Sequence, residues 1–114
     1  MTQKFGVGPF GAGDYAQSRE AALQALSKRP GDEQALSLLA DTARSSEEVE
    51  DVRKTIEGFR KADQDRPSYH LALGSLSFRK GDKARAETEF KKALELDPKS
   101  STAHVALAML YWSN

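Results

Sequence analysis

The chain is 114 residues long, 39% hydrophobic and 30% charged, a length that fits one domain with a modest core. Its 17 Lys and Arg balance 17 Asp and Glu, so no net field draws it onto nucleic acid or an anionic membrane. It has no cysteine, which excludes a disulfide framework and a thiolate metal site.

Residues 1–12 differ from the rest of the chain. Four of the eight glycines lie between Gly6 and Gly13, which predicts a flexible leader rather than a packed element. Gly6 to Gly11 spells the dinucleotide fingerprint GxGxxG, but that chemistry needs a strand before it and a helix opening at its end. Only five residues precede it, Pro9 interrupts it and no strand comes after it, so a leader remains the reading. Nor does this end have the basic, apolar and cleavable regions of a signal peptide.

From Gly13 onward the pattern is helical. Tyr15, Ala22, Leu23 and Leu26 fall at helical spacing, with Asp14 placed as a cap and Pro30-Gly31 as a stop. Asp32 is placed to cap a second helix, Glu33 to Arg44, whose stripe is Leu36, Leu39, Ala40 and Ala43. Ser45 and Glu48 have the spacing of a capping box, opening a third helix with Val49, Val52, Ile56 and Phe59 on one side. Pro67 suits the first position of a fourth helix, which runs to Lys80 with Leu73, Gly74 and Leu76 inside. After a turn at Gly81-Asp82, Ala86, Phe90, Ala93 and Leu94 mark a fifth helix, closed by Pro98. The last helix carries Ala103, Leu107, Ala108 and Tyr111. Its apolar run, Val105 to Trp112, is far shorter than the ~20 residues that span a bilayer, so a soluble chain is expected, cytoplasmic by default. Linkers of about two to five residues predict an all-α architecture of antiparallel hairpins.

These elements repeat with a fixed period of about 34 residues. His70 and His104 lie one period apart, as do Leu73 and Leu107. Pro30 and Pro98 lie two periods apart, and Gly13-Asp14 and Gly81-Asp82 keep the same register. A unit this short cannot bury its own apolar face, so it must stack on its neighbours into a quasi-linear solenoid.

Leu73-Gly74, Gly81, Ala86, Phe90, Ala93 and Pro98 give Pro67 to Ser100 the look of one known unit: the stretch resembles a tetratricopeptide repeat. Gly74 and Ala86 are small enough to let two helices approach, with Phe90 filling the space between them. The resemblance extends to a part unit at 13–32, a diverged unit at 33–66 and a part unit at 101–114, and it implies a right-handed solenoid. The middle unit departs most, with Ala40 and Glu47 in the glycine positions, Val52 and Phe59 for alanines and Gln64 for proline. The pattern opens on a second helix and closes on a first one. That is expected of a piece of a longer array, or of an end covered by a second copy in a homodimer, with Leu107 and Tyr111 as the self-association residues.

The resemblance also implies a function, the binding of a partner protein or peptide along the concave face. Carried over position by position, that face takes Gln34, Ser37, Asp41 and Arg44, then Ser68, Leu71, Ser75, Phe78 and Arg79, then Thr102, Val105, Met109 and Trp112. The expected partner-binding set is Asp41, Arg44, Leu71, Ser75, Phe78, Arg79, Val105, Met109 and Trp112, polar at the early end and apolar at the late end. Leu71, Phe78, Val105, Met109 and Trp112 are beyond what the core pattern needs, which suits a groove for apolar side chains. Ser37, Leu71 and Val105 stand where the family's carboxylate-gripping version would want cations, so that version is not expected. The alternative role is a self-associating or spacing segment of a larger protein.

Catalysis, a metal and a cofactor are not expected. His70 and His104 should sit about 10 Å apart, the spacing of packed helices, too far to share one zinc ion. Ser77 and His70 are seven residues apart on one helix, about 10 Å along its axis and beyond hydrogen-bond reach.

Overall fold

The computed structural model describes residues 12–113, with side chains from Tyr15 onward. The glycine-rich leader, with its GxGxxG string, lies outside the described residues apart from Ala12, which is helical. Six helices run in order: α1 (Ala12–Lys28), α2 (Glu33–Asp41), α3 (Ser46–Ala62), α4 (Pro67–Lys80), α5 (Lys83–Leu96) and α6 (Ser101–Trp112). Turns of two to four residues join them, too short for anything but hairpins between packed neighbours. There is no strand among the described residues.

Local chemistry sets most boundaries. The Asp32 side chain accepts from Gln34 N–H, that of Asp82 from Arg85 N–H and that of Ser100 from Ala103 N–H. Each satisfies one of the donors that a helix start leaves open. Pro67 takes the first position of α4, where its missing N–H is not needed. Gly81 closes that helix with φ of +90°, a left-handed conformation that a side chain would strain. Asp14 is not the cap of α1: the helix begins two residues earlier, at Ala12, which places Asp14 within the first turn.

The diverged turn between α2 and α3 works without glycine. Thr42 ends α2 in a right-handed conformation; its hydroxyl donates to Leu39 C=O at 2.6 Å and it is held by Arg19 of α1, whose Nη2 donates to Thr42 C=O at 2.9 Å. The Ser45 hydroxyl accepts from Glu48 N–H at 3.2 Å, the first half of the expected box. The other half is shifted by one residue, since the Glu48 carboxylate accepts from Arg44 N–H at 2.7 Å. As a result α2 stops at Asp41, and Arg44, expected on the helix, lies in the turn.

Two apolar clusters make the core, and α4 contributes to both. Ala22 and Leu26 of α1 pack with Leu36, Leu39, Ala40 and Ala43, with Val49, Val52 and Ile56 of α3, and with Tyr69, Leu73 and Leu76 of α4. Leu71 joins Ala86, Phe90 and Ala93 of α5 to Ala103, Leu107 and Leu110 of α6. Fully burying a Leu, Ile or Phe side chain contributes about 1.5–3 kcal/mol. Helix α4 serves both clusters, packing on α2, α3, α5 and α6 and burying every position from Ser68 to Ser77 except Ser75. The tightest approach is between α4 and α5, where a Cβ on Gly74 would fall 2.4 Å from the Phe90 ring. Tyr69, fully buried, donates its hydroxyl to Asp63 Oδ2 at 2.9 Å; burial and that carboxylate push the phenol up to about 12, while Arg66 and Tyr69 hold Asp63 down at about 2.

Candidate functional site: a face formed by alternate helices

Helix α4 packs against both α2 and α6, so these alternate helices share one layer, while α1, α3 and α5 back it. The chain continues the same surface from hairpin to hairpin, because each hairpin presents its first helix on the same side. Most of the expected binding residues sit on this layer, in three environments.

The first is polar. Arg79 at the end of α4 donates to Asp41 at the end of α2, at 2.8 Å, and to Ala43 C=O at 3.4 Å. Arg44 is turned toward α1 instead: it donates to the Tyr15 hydroxyl and stacks over that ring at 4.6 Å from its centroid. Arg44, Arg79 and Lys80 border a shared opening with Ser45 and Ser46, and Lys80 is already paired with Glu50 at 2.7 Å.

The second environment is the floor of the layer. Leu71 is a correction: expected to face a partner, it is 6% exposed and packs with Ala86, Phe90, Ala93 and Ala103. The reason is geometric, since α4 is wrapped by four neighbours and few of its positions remain free. Ser37, Ser68, Ser75 and Thr102 surround the small part of Leu71 that shows, around a pocket of about 70 Å³.

The third is apolar. Ser75, Phe78, Phe90, Ala106, Met109 and Leu110 line a pocket of about 120 Å³ between α4, α5 and α6. It brings together three of the expected residues, Ser75, Phe78 and Met109. Val105 and Trp112 stand outside it on α6, exposed at 56% and 88%. The expected set lacks Phe90, Ala106 and Leu110, which complete the lining. Leu110 continues the stripe of Ala103 and Leu107 at helical spacing, a signal present in the sequence.

Helix α6 also corrects the self-association pair. Leu107 packs with α5 and is only 9% exposed, so it offers little surface, and the inward stripe is Ala103, Leu107 and Leu110 rather than Ala103, Leu107, Ala108 and Tyr111. Ala108 is exposed and Tyr111 is half exposed, its hydroxyl donating to Glu87 at 2.7 Å.

No group of three or more His, Cys, Asp or Glu among the described residues is arranged to hold a metal ion. The Nε2–H of His104 donates to Pro98 C=O at 3.0 Å. His70 is buried, with Nδ1 at 2.7 Å from Glu89 and Nε2 at 2.7 Å from Asp65. Sequence spacing does not signal that network, because its members are 5 and 19 residues from His70. No described helix is long and apolar enough to cross a membrane.

Stacked helical hairpins with a continuous first-helix layer define a helical-repeat solenoid. The tetratricopeptide repeat family matches residues 10–76 through one sequence profile and residues 67–100 through a second. The chain belongs to that family, whose members generally act as protein-interaction modules and are typically not catalytic. No curated protein is similar enough to the chain to match it.

Proposed function

We propose that the protein holds an extended partner segment on the α2–α4–α6 layer, with an apolar partner side chain seated in the pocket between Phe78 and Met109. The carrying observation is that pocket, lined almost wholly by apolar groups yet open on the same layer as the Asp41–Arg79 pair. An apolar side chain leaving water for it gains roughly 25 cal/mol for each Å² covered. The Asp41–Arg79 pair and the Ser75 hydroxyl offer polar partners for the backbone of the bound segment. The chain works by binding, without catalysis or a cofactor, and residues 33–66 and 67–100 act as its complete repeat units. A selection from a random peptide library on the immobilised protein tests this. Enriched peptides should share an apolar anchor, and Met109→Asp should weaken them at least about tenfold, a difference of about 1.4 kcal/mol. Met109 is 62% exposed, so the variant should unfold within about 0.5 kcal/mol of the parent. No enrichment, or peptides that bind Met109→Asp undiminished, would remove the pocket from the function.

A second reading rests on a different observation. Val105, Met109, Tyr111 and Trp112 place four exposed large apolar side chains on the single helix α6. Val105, Met109 and Trp112 share one face by their spacing, which suits self-association of two copies through α6.

A further inference from the structure

His70 is held in a way that ordinary core packing does not require. It is 4% exposed, and each ring nitrogen lies 2.7 Å from a carboxylate oxygen, Glu89 Oε1 on one side and Asp65 Oδ1 on the other. A carboxylate can only accept, so both contacts are hydrogen bonds at once only when both nitrogens carry protons. The ring is then an imidazolium between two anions. Glu89 is itself only 7% exposed, which leaves the imidazolium as its nearest compensation.

Three separate pieces of the chain meet here. Asp65 lies in the turn after α3, His70 on α4 and Glu89 on α5. The ring thus pins the end of one hairpin to both helices of the next. Further charged groups surround the opening beside the ring. From α3, Arg60 pairs with Glu57 at 2.9 Å and with Asp65 at 3.6 Å. From α5, Lys92 and Glu95 border an opening of about 270 Å³ beside the ring, and the Arg85 charge also reaches Glu89. That opening gives solvent protons a path to the buried ring.

We propose that Asp65, His70 and Glu89 form a proton-operated latch between the α2–α3 and α4–α5 hairpins, closed by the imidazolium and released when it loses one proton. On release one ring nitrogen presents a lone pair to the carboxylate it had bonded, so that contact turns repulsive. The direction of titration agrees. The Glu89 hydrogen bond, opposed by burial and aided by Asp65, raises His70 above its ordinary 6.5. For Glu89, burial acts to raise the carboxyl, but the His70 bond and charge, with Lys92 and Arg85, carry it below its ordinary 4.5. A raised histidine stabilises the fold fully below 6.5, and that contribution is lost as pH rises through its folded-state value. The lowered Glu89 closes the window from the acid side. The latch therefore holds at mildly acid pH and opens as pH rises through the folded-state value of His70, which lies above 6.5.

Two measurements on the full chain test it. Proton NMR follows the imidazole signals between about pH 5.5 and pH 9, the His70→Gln spectrum assigning the His70 resonance. The expected midpoint is above 6.5 in the wild type and lower in Glu89→Gln. Urea unfolding across the same range should show the wild-type midpoint falling as pH rises while that of His70→Gln stays nearly level. A His70 midpoint at or below 6.5, or a wild-type pH profile that His70→Gln reproduces, would overturn the latch. Should His70→Gln fail to fold, the NMR titration of the wild type and of Glu89→Gln still decides.

Discussion

Gly74 and Phe90 pair on the strength of size alone, a small residue letting a large one fill the space between two helices. The structure gives that space a dimension: a methyl group at position 74 would lie 2.4 to 3.0 Å from three atoms of a ring that is only 4% exposed. Gly74→Ala therefore sets two effects against each other. Replacing a mid-helix glycine by alanine gains about 0.5–1 kcal/mol in helix propensity, whereas overpacking a filled core costs typically ~1–3 kcal/mol. The contact is with a buried ring, so overpacking wins. Urea denaturation should show Gly74→Ala less stable by roughly 1–2 kcal/mol, and a stabilised variant would mean that the α4–α5 interface can give way. Single residues of this kind are legible in the sequence because their size alone dictates the packing. His70 is not legible in the same way. A lone histidine gives no hint of its partners until a turn and another helix bring two carboxylates to it.

Among the elements, the turns carry most of the boundary information. The two turns inside the hairpins solve one problem by different means. At residues 81–82 a glycine takes the left-handed conformation, while at 42–45 the hydroxyls of Thr42 and Ser45 and the Glu48 carboxylate satisfy the open backbone groups. The second arrangement depends on the α3 cap. Ser45→Ala should destabilise the protein by about 1 kcal/mol, within the roughly 0.5–2 kcal/mol usual for such caps. Hydrogen exchange should show the loss as faster exchange at the start of α3, with Glu48 N–H affected first; unchanged exchange there would mean that Glu48 alone sustains the cap. The sequence pattern places this cap correctly but carries α2 on to Arg44. Apolar spacing continues through Ala43, whereas the Glu48 carboxylate on Arg44 N–H and the grip of Arg19 on Thr42, a contact across 23 residues, mark that the helix has already ended.

At the scale of the molecule, the face toward a neighbour and the face toward solvent are decided by which helices are present to pack. Helix α6 shows this most clearly. Its inward stripe meets α4 and α5, leaving Val105, Met109 and Trp112 exposed at i, i+4, i+7 spacing, with Tyr111 half exposed beside Glu87. If that surface joins two copies, light scattering after size exclusion should give a dimer that Trp112→Lys reduces to monomer. Trp112 is the one tryptophan in the chain and 88% exposed, so its emission should also shift to the blue as concentration rises. The substitution should change stability by no more than about 0.5 kcal/mol, since the side chain touches little of its own fold. A monomer at every concentration, with constant emission, would end the self-association reading and leave α6 to the proposed peptide-binding pocket.

The fixed repeat period, the apolar stripes, the caps and the punctuating glycines and prolines were enough to determine six helices in hairpin order. They also determined that the hairpins must stack, and that the protein belongs with the tetratricopeptide repeats. These are local or periodic properties, and each residue expresses them through its own size, conformational freedom and hydrogen-bonding groups. The burial of Leu71 and Leu107, the turn of Arg44 toward Tyr15, the pocket between Phe78 and Met109 and the clasp on His70 were decided only by tertiary structure. Each depends on the distance between side chains far apart in the chain, and that distance exists only once the helices have packed.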